Sequence, residues 1–123
     1  MAAAGLDQVL TFYFRPQGRI SRTEFALGTV LIWLISTLLL LFLVRTGETA
    51  PFLVLPFFLV GLPLTIGLAM LVVKRSHDIG LPGSFVLLLF VPVVGIVWLA
   101  ALMFIPGNPA PNLYGPPPQF RSD

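Results

Sequence analysis

The charged side chains of this sequence fall in five places, and the six that best suit ionic or acid–base chemistry lie in two short polar clusters. The first polar cluster is Arg19, Arg22 and Glu24, and the second polar cluster is Arg75, His77 and Asp78. Arginine carries a planar guanidinium that binds a carboxylate through two hydrogen bonds, so ion pairing is the chemistry that these residue types favour. If the clusters meet, we expect Asp78 to pair with Arg19 or Arg22. Under the same condition we expect Arg75 to pair with Glu24.

Such a network has two interpretations that the sequence leaves open. In the favoured one, the ion pairs only lock helices together and hold a loop. In the other, the surplus of arginine binds an anionic lipid headgroup or another anion at the membrane surface. His77 is the single histidine, and its imidazole titrates near neutrality, so it can sense pH or pass a proton. A structural histidine that donates to a carboxylate or carbonyl is the favoured interpretation.

The sequence offers no metal site, cofactor site or enzyme motif. It has no cysteine and one histidine, which makes a poor set of zinc or iron ligands. Neither a phosphate-binding glycine loop nor a nucleophilic serine motif occurs. We therefore expect no metal, no cofactor and no catalysis. A formal net charge of +2 is too small to indicate a nucleic-acid partner.

Long uncharged stretches must position the two clusters. The chain is 57% hydrophobic and 10% charged, whereas ordinary soluble domains contain about 25% charged residues. Three stretches without charge cover residues 25–44, 52–73 and 84–105, each 20 to 22 residues long. A helix of this length crosses a hydrocarbon core about 30 Å thick. The sequence therefore predicts an all-α integral membrane protein with three transmembrane helices, in a single domain over residues 1–123.

The residues before the first uncharged stretch and those after the third carry further signals of secondary structure. Ser21 and Glu24 fit a capping box, which predicts the first transmembrane helix over residues 22–44. Residues 6–14 are too few to cross a membrane, and they predict a short interfacial helix with its aromatic rings at headgroup level. Residues 106–123 contain six prolines and two glycines, and this composition predicts an extended tail without a core of its own.

The second and third stretches contain residues that bend helices. Pro56 and Pro63 lie in the second, predicted to span over 52–73, and a membrane bundle tolerates such prolines because neighbouring groups satisfy the freed carbonyls. Pro92 and Gly95 lie near the middle of the third stretch. A kinked span over residues 84–105 is favoured, and a re-entrant hairpin is the alternative.

Small residues recur at every fourth position of the second predicted helix, at Gly61, Thr65 and Ala69. Such a row lets another helix approach closely. The approaching helix can belong to the same chain or to another subunit. A contact within the chain is the favoured interpretation.

The positions of lysine and arginine predict an orientation. With three spans, five basic residues lie before the first or after the second helix, and two lie on the other side. The positive-inside rule then places the N-terminus in the cytoplasm and the C-terminus outside. A re-entrant third segment would keep both ends in the cytoplasm and make the count six against one.

Three motifs in sequence order resemble those of a known family. They are Gly18-Arg19-x-x-Arg22-x-Glu24-Phe25, then Lys74-Arg75-Ser76-His77-Asp78-Ile79-Gly80-x-x-Gly83, and a tail motif of Pro106, Gly107, Asn112, Tyr114 and Gly115. Over about residues 10–118 they resemble the bacterial inner-membrane family called domain of unknown function 805. The resemblance implies a multi-pass protein of the bacterial inner membrane, which makes the outer side of the three-span topology periplasmic. It implies no activity, because none is established for the family.

Three functions are compatible with these patterns. The favoured one is a small non-catalytic accessory or scaffold protein that binds a larger membrane complex, another copy of itself or an anionic lipid. An oligomeric transporter or channel for small solutes or ions is an alternative, although the predicted spans hold no ionisable residue. An interfacial enzyme with His77, Asp78 and Glu24 as acid–base groups is a further alternative, and it is disfavoured.

Overall fold

A computed structural model describes residues 2–46, 52 and 54–118 of the chain. Residue 53 of the second predicted span and residues 119–123 of the predicted tail lie outside the described residues. Within the described part, the elements in chain order are α1 (Ala2–Phe14), α2 (Arg22–Thr46), α3 (Val54–Ile79), a 3₁₀ helix (Gly83–Phe90) and α4 (Pro92–Phe104). The predicted all-α class is confirmed for this part of the chain.

The start of α2 has the predicted capping box. The backbone N–H of Glu24 donates to Ser21 Oγ at 3.2 Å, and the backbone N–H of Ser21 donates to Glu24 Oε1 at 3.2 Å. These two bonds satisfy N–H groups that have no acceptor within the first helical turn. The helix therefore begins at Arg22, and Glu24 serves as a cap.

The second long helix, α3, extends past its predicted end and carries the second polar cluster on its last two turns. It stops at Ile79 because Gly80 takes a φ of +93°, in the left-handed region that favours glycine. The N–H groups of Gly80 and Leu81 donate back to carbonyls of the last turn, in the Schellman pattern. As a result Arg75 and Asp78 lie one helical turn apart on a regular helix.

Both α2 and α3 are long and apolar enough to cross a membrane. Their 25 and 26 residues extend over about 38 Å at 1.5 Å per residue, which exceeds a hydrocarbon core of about 30 Å. Pro63 lies inside α3 without ending it. Large apolar side chains such as Leu27, Leu38 and Leu62 are exposed along both helices. A surface of this kind must be covered by lipid or by another membrane protein.

The third apolar stretch does not form the single helix predicted over residues 84–105. It forms the 3₁₀ helix and α4, which together we call the apolar hairpin. With 13 residues, α4 extends over about 20 Å and is too short to cross a membrane. Both ends of the apolar hairpin lie at the same end of α3. Gly83 lies against Val73 where the hairpin begins, and Leu102 O accepts a hydrogen bond from Arg75 where it ends.

The reversal within the apolar hairpin depends on Pro92 and Gly95. Pro92 is at the start of α4, where a helix does not need the missing N–H. Gly95 lies against the backbone of the 3₁₀ helix, because a Cβ at Gly95 would be 2.9 Å from Leu89 O and 3.1 Å from Leu89 Cα. Pro92 and Gly95 would also suit a kinked helix, but here they form the turn of the apolar hairpin.

The last turn of α1 packs into the gap between α2 and α3. Phe12 lies against Gly28 of α2, where a Cβ would be 3.0 Å from Phe12 Cε1. Tyr13 lies against Gly67 of α3 and donates its O–H to Gly28 O at 3.3 Å. Burial raises the pKa of the Tyr13 phenol. The predicted segment 6–14 is thus helical and joined to the bundle through two aromatic rings.

In the row of Gly61, Thr65 and Ala69, the first two residues do not mark the close contact within the chain that the sequence favours. A Cβ at Gly61 would have no neighbour within 4 Å among the described residues. Thr65 is exposed, and its hydroxyl donates to Gly61 O at 3.0 Å within the same helix. The close approach of α3 to α2 lies instead at Gly67, where a Cβ would be 3.6 Å from Ile32 Cδ1.

Candidate functional site

The two polar clusters and the proline-rich tail meet at one end of the helix bundle. The backbone N–H of Asn108 donates to Asp78 O at 2.7 Å, and Asn112 Nδ2 donates to His77 O at 2.9 Å. Asn112 also pairs with Gly115 in a short antiparallel bridge, for which Gly115 takes a φ of +122°. The prediction of an extended tail is therefore wrong for this part of the tail, which folds as a turn onto α3.

Asp78 lies between Arg19 and Arg75, and we call these three residues the buried triad. Arg19 Nε donates to Asp78 Oδ1 at 3.0 Å, and Arg19 Nη2 lies 2.9 Å from the same oxygen. Arg75 Nη1 donates to Asp78 Oδ2. The side chain of Arg19 is 1% exposed, and those of Asp78 and Arg75 are 0% exposed. The predicted pair of Arg19 with Asp78 is therefore formed away from water.

Arg19 uses all five of its N–H groups within this chain. Besides Asp78 Oδ1, its acceptors are the backbone carbonyls of Asp78 at 3.5 Å, Ala110 at 3.0 Å, Gly115 at 3.1 Å, and Asn108. A guanidinium has five N–H groups in total, so none is left for another acceptor. Arg19 thereby joins the segment before α2 to the end of α3 and to the tail.

Arg75 joins the apolar hairpin to α3. Its Nε donates to Leu102 O at 2.9 Å, and its Nη2 donates to Ile105 O, both at the C-terminal end of α4. Its Nη1 donates to Ile20 O at 3.2 Å as well as to Asp78. Carbonyls in the last turn of a helix receive no hydrogen bond from a backbone N–H of that helix. Arg75 of α3 supplies such a bond and thereby caps the C-terminal end of α4.

Glu24 and Arg22 lie outside the buried triad. The predicted pair of Arg75 with Glu24 is wrong, because Arg75 pairs with Asp78 one turn away on the same helix. Glu24 is used instead by the capping box of α2. Arg22 Nη1 donates to Phe104 O at 3.0 Å at an exposed position. Both residues therefore stabilise helix ends at the rim of the site.

His77 is held between the N-terminal segment and the tail. Its Nδ1 lies 3.1 Å from Gly18 O, which assigns a proton to Nδ1 because a carbonyl can only accept. Its ring stacks on Tyr114, with centroids 4.0 Å apart and planes 4° apart. This is the geometry expected of a structural histidine. Pro106 and Gly107, the first residues of the tail motif, lead the chain from α4 toward these contacts.

Lys74 is a buried charged residue that the sequence does not single out as a site residue. It is 4% exposed, its Nζ donates to Phe12 O, and Nζ lies 4.8 Å from the centroid of the Phe12 ring. The face of an aromatic ring attracts a cation. The signal in the sequence is its position directly after the uncharged run of residues 52–73, where a lysine must either reach water or find partners.

The chemistry that this arrangement can perform is the partial neutralisation of buried charges and the capping of helix ends. Its hydrogen bonds join positions as far apart as Arg19 and Gly115, which are separated by 96 residues in sequence. Within the described residues, no three His, Cys, Asp or Glu side chains come together in a way that could hold a metal ion.

Comparison with known proteins covers all three motifs that meet at this site. A family model described as Protein of unknown function (DUF805) matches residues 13–116. The chain belongs to this family. This DUF805 chain is 30% identical over 117 residues to the Inner membrane protein YhaI of Escherichia coli strain K12, and equally to that of Escherichia coli O157:H7. The alignment covers 94% of this chain and 95% of each relative, and no solved structure matches the chain.

Proposed function

We propose that this DUF805 protein is a non-catalytic scaffold of the inner membrane. In this role the buried triad holds the apolar hairpin and the tail against the two long helices, whose exposed apolar surfaces bind a larger membrane protein. The observation that carries the proposal is that the polar side chains of the motifs are directed inward. Arg19 and Arg75 donate to Asp78 and to backbone carbonyls of this chain. Groups engaged in this way stabilise a fold and are not presented to a substrate.

The three candidate acid–base residues support a non-catalytic role, because each is held by a different part of the chain, and Glu24 and His77 line separate clefts. Asp78 contacts two arginines. Glu24 accepts from the backbone N–H of Ser21 in the capping box. His77 contacts the carbonyl of Gly18 and stacks on an aromatic ring of the tail. A general acid or base must instead be within hydrogen-bonding reach of the substrate proton that it transfers.

A groove on the membrane-facing surface supports the binding of a partner. It has a volume of about 480 Å³ and lies between α2 and α3, in the half of α3 that is farther from the buried triad. Its wall includes Ser36 and Leu39 from α2, and Phe57, Gly61 and Thr65 from α3. Small residues and hydroxyls of this kind allow a helix of another protein to approach closely within a membrane.

Substitution of Gly61 by leucine is expected to weaken partner binding without unfolding the protein. The new side chain fills the groove, while a Cβ at Gly61 has no neighbour within 4 Å to displace. After cross-linking in cells and purification in mild detergent, wild-type protein should recover a larger membrane protein in near-equal amount. The variant should recover about tenfold less, as expected for the loss of a contact worth about 1.4 kcal/mol. Quantitative mass spectrometry of the purified material measures this.

The matched control for this experiment is Gly5→Leu on α1, since Gly5 also has no neighbour within 4 Å but lies outside the groove. This variant should recover as much partner as the wild type. A wild-type protein that is consistently purified as a lone monomer would contradict the scaffold proposal. Equal recovery with Gly61→Leu would contradict the assignment of the groove.

The proposal includes a topology with two membrane crossings, by α2 and α3. The apolar hairpin enters and leaves the membrane on the cytoplasmic side, so both ends of the chain are cytoplasmic. Two observations support this topology. Arg19, which precedes α2, contacts Ala110 and Gly115 of the tail, so the segment before α2 and this part of the tail lie at one end of the molecule. Six basic residues then lie on the cytoplasmic side against Arg45 alone on the other, whereas three spans give five against two.

Cysteine labelling in intact cells is expected to report this topology. The sequence has no cysteine, so a single introduced thiol is the only target. Leu113→Cys is suitable because Leu113 is 96% exposed in the tail. A membrane-impermeant maleimide should leave it unlabelled until the inner membrane is permeabilised, whereas Arg45→Cys at the other end of α2 should be labelled in both conditions. Labelling of Leu113→Cys in spheroplasts would place the tail in the periplasm and refute the two-crossing topology.

A further inference from the structure

A polar cleft of about 540 Å³ opens between α1, the start of α2 and the end of α3, and we call it the interfacial cleft. Its polar lining consists of Asp7, Gln8, Thr11, Gln17, Glu24 and Lys74. Arg19 also borders the cleft, but all five of its N–H groups are engaged within the chain. The side chains that can bind a ligand in the cleft are therefore different residues from those of the buried triad.

Lys74 supplies the positive charge of the interfacial cleft. Its ammonium has three N–H groups, and the described residues provide one hydrogen-bond acceptor for them, Phe12 O. The residue is nevertheless almost completely buried. A buried ammonium with N–H groups left over requires further acceptors, and an anionic oxygen is the strongest of these.

Two carboxylates supply negative charge to the same cleft. Asp7 is exposed on α1. Glu24 accepts from the backbone through one oxygen, and a carboxylate has further lone pairs for a second donor. Glu24 lines the same cleft as Lys74. A simple anion would meet repulsion from both carboxylates, whereas a ligand that carries both a negative and a positive group would be attracted at each end.

The division of α1 into a polar and an apolar side favours a position of the interfacial cleft at the level of lipid headgroups. Asp7 and Thr11, one turn apart, line the cleft, whereas Leu6 and Leu10, also one turn apart, are exposed and apolar. A helix divided in this way lies in the membrane surface with its apolar side toward the acyl chains. The polar wall of the cleft is then at the depth where phosphate and ammonium groups of phospholipids are concentrated.

We propose that the interfacial cleft binds the phosphoethanolamine headgroup of a membrane phospholipid. Lys74 donates to the phosphate, and Asp7 and Glu24 accept from the primary ammonium. The acyl chains extend from the cleft along the exposed apolar side of α1. This site goes beyond the scaffold role and does not depend on it, because the groove at Gly61 and the buried triad take no part in headgroup binding.

Native mass spectrometry of the purified full chain in detergent tests this site. The probes are phosphatidylethanolamine, phosphatidylcholine and phosphatidylglycerol with identical acyl chains. Phosphatidylethanolamine should bind about tenfold more tightly than phosphatidylcholine, because a fully methylated ammonium cannot donate the charge-assisted hydrogen bonds to the carboxylates. It should also bind more tightly than phosphatidylglycerol, which has no ammonium group.

Asp7→Asn is expected to abolish most of this preference, bringing phosphatidylethanolamine and phosphatidylcholine to within about twofold of each other. Because Asp7 is exposed, the melting temperature of the variant should equal that of the wild type. The control Arg45→Gln, at the far end of α2, should keep the full preference. Equal binding of the two zwitterionic lipids by the wild type, tighter binding of phosphatidylglycerol, or an unchanged preference in Asp7→Asn would each overturn the proposal.

Discussion

Replacement of Asp78 by asparagine is expected to lower the free energy of unfolding by about 3–5 kcal/mol, because it removes a buried carboxylate that contacts two buried arginines. Asp78 is completely buried and contacts Arg19 on one side and Arg75 on the other. Asparagine has nearly the same shape, so the loss comes from the charge and not from a cavity. The apolar hairpin and the tail depend on these two arginines, and both should detach in the variant.

Unfolding in detergent, followed by far-UV circular dichroism as a denaturing detergent is added, measures this effect. Asp7→Asn makes the same chemical change at an exposed position and should alter stability by no more than about 0.5 kcal/mol. Adding Arg19→Met to Asp78→Asn should cost less than the sum of the two single changes, by about 0.5–3 kcal/mol, because the two residues interact directly. A loss below about 1 kcal/mol for Asp78→Asn would show that backbone carbonyls alone compensate the arginines.

Substitution of Gly95 by alanine is expected to destabilise the protein by about 1–3 kcal/mol, the usual cost of forcing an extra carbon into a packed interior. The added Cβ would lie 2.9 Å from Leu89 O and 3.1 Å from Leu89 Cα, closer than nonbonded atoms approach. These are backbone atoms, so a change of side-chain rotamer cannot relieve the contact. The 3₁₀ helix must move away from α4, which opens the apolar hairpin.

The same alanine substitution at Gly61 provides the matched control, because Gly61 is also a helical glycine in an apolar segment. Its Cβ would meet nothing within 4 Å, and alanine favours a helix by about 1 kcal/mol over glycine, so the variant should be as stable as the wild type or slightly more so. The comparison uses the same unfolding measurement in detergent. If Gly95→Ala were as stable as Gly61→Ala, the close packing of the apolar hairpin would be refuted.

The meeting of the two polar clusters was predictable from the sequence, but one of its ion pairs was not. The capping box at Ser21 places one cluster at the start of α2, and antiparallel helices bring the other cluster to the same end. The prediction for Arg75 assumed that α3 ends before the second cluster. The helix instead continues to Ile79, so that Asp78 becomes the neighbour of Arg75 at a separation of three residues.

The conformation of the third apolar stretch was less predictable, because a run of uncharged residues has the same composition in one long helix and in two short ones. Pro92 and Gly95 suit a kink in a membrane helix as well as a turn. One long helix and a hairpin of two short helices differ in which residues donate hydrogen bonds to the last residues of the run. Leu102 and Ile105 accept from Arg75, a contact between residues about 30 apart that no local pattern shows.

The dependence of Arg19 and Arg75 on the last quarter of the chain sets the order in which the protein can assemble. The ribosome delivers α2 and α3 first, whereas the carbonyls of residues 102–115 that accept from these arginines are made last. Until those residues emerge, the half-built chain carries two arginines without most of their native acceptors at the membrane surface. Closure of the fold is thus a late step of biosynthesis, and chains that stop before residue 102 lack the acceptors needed to complete it.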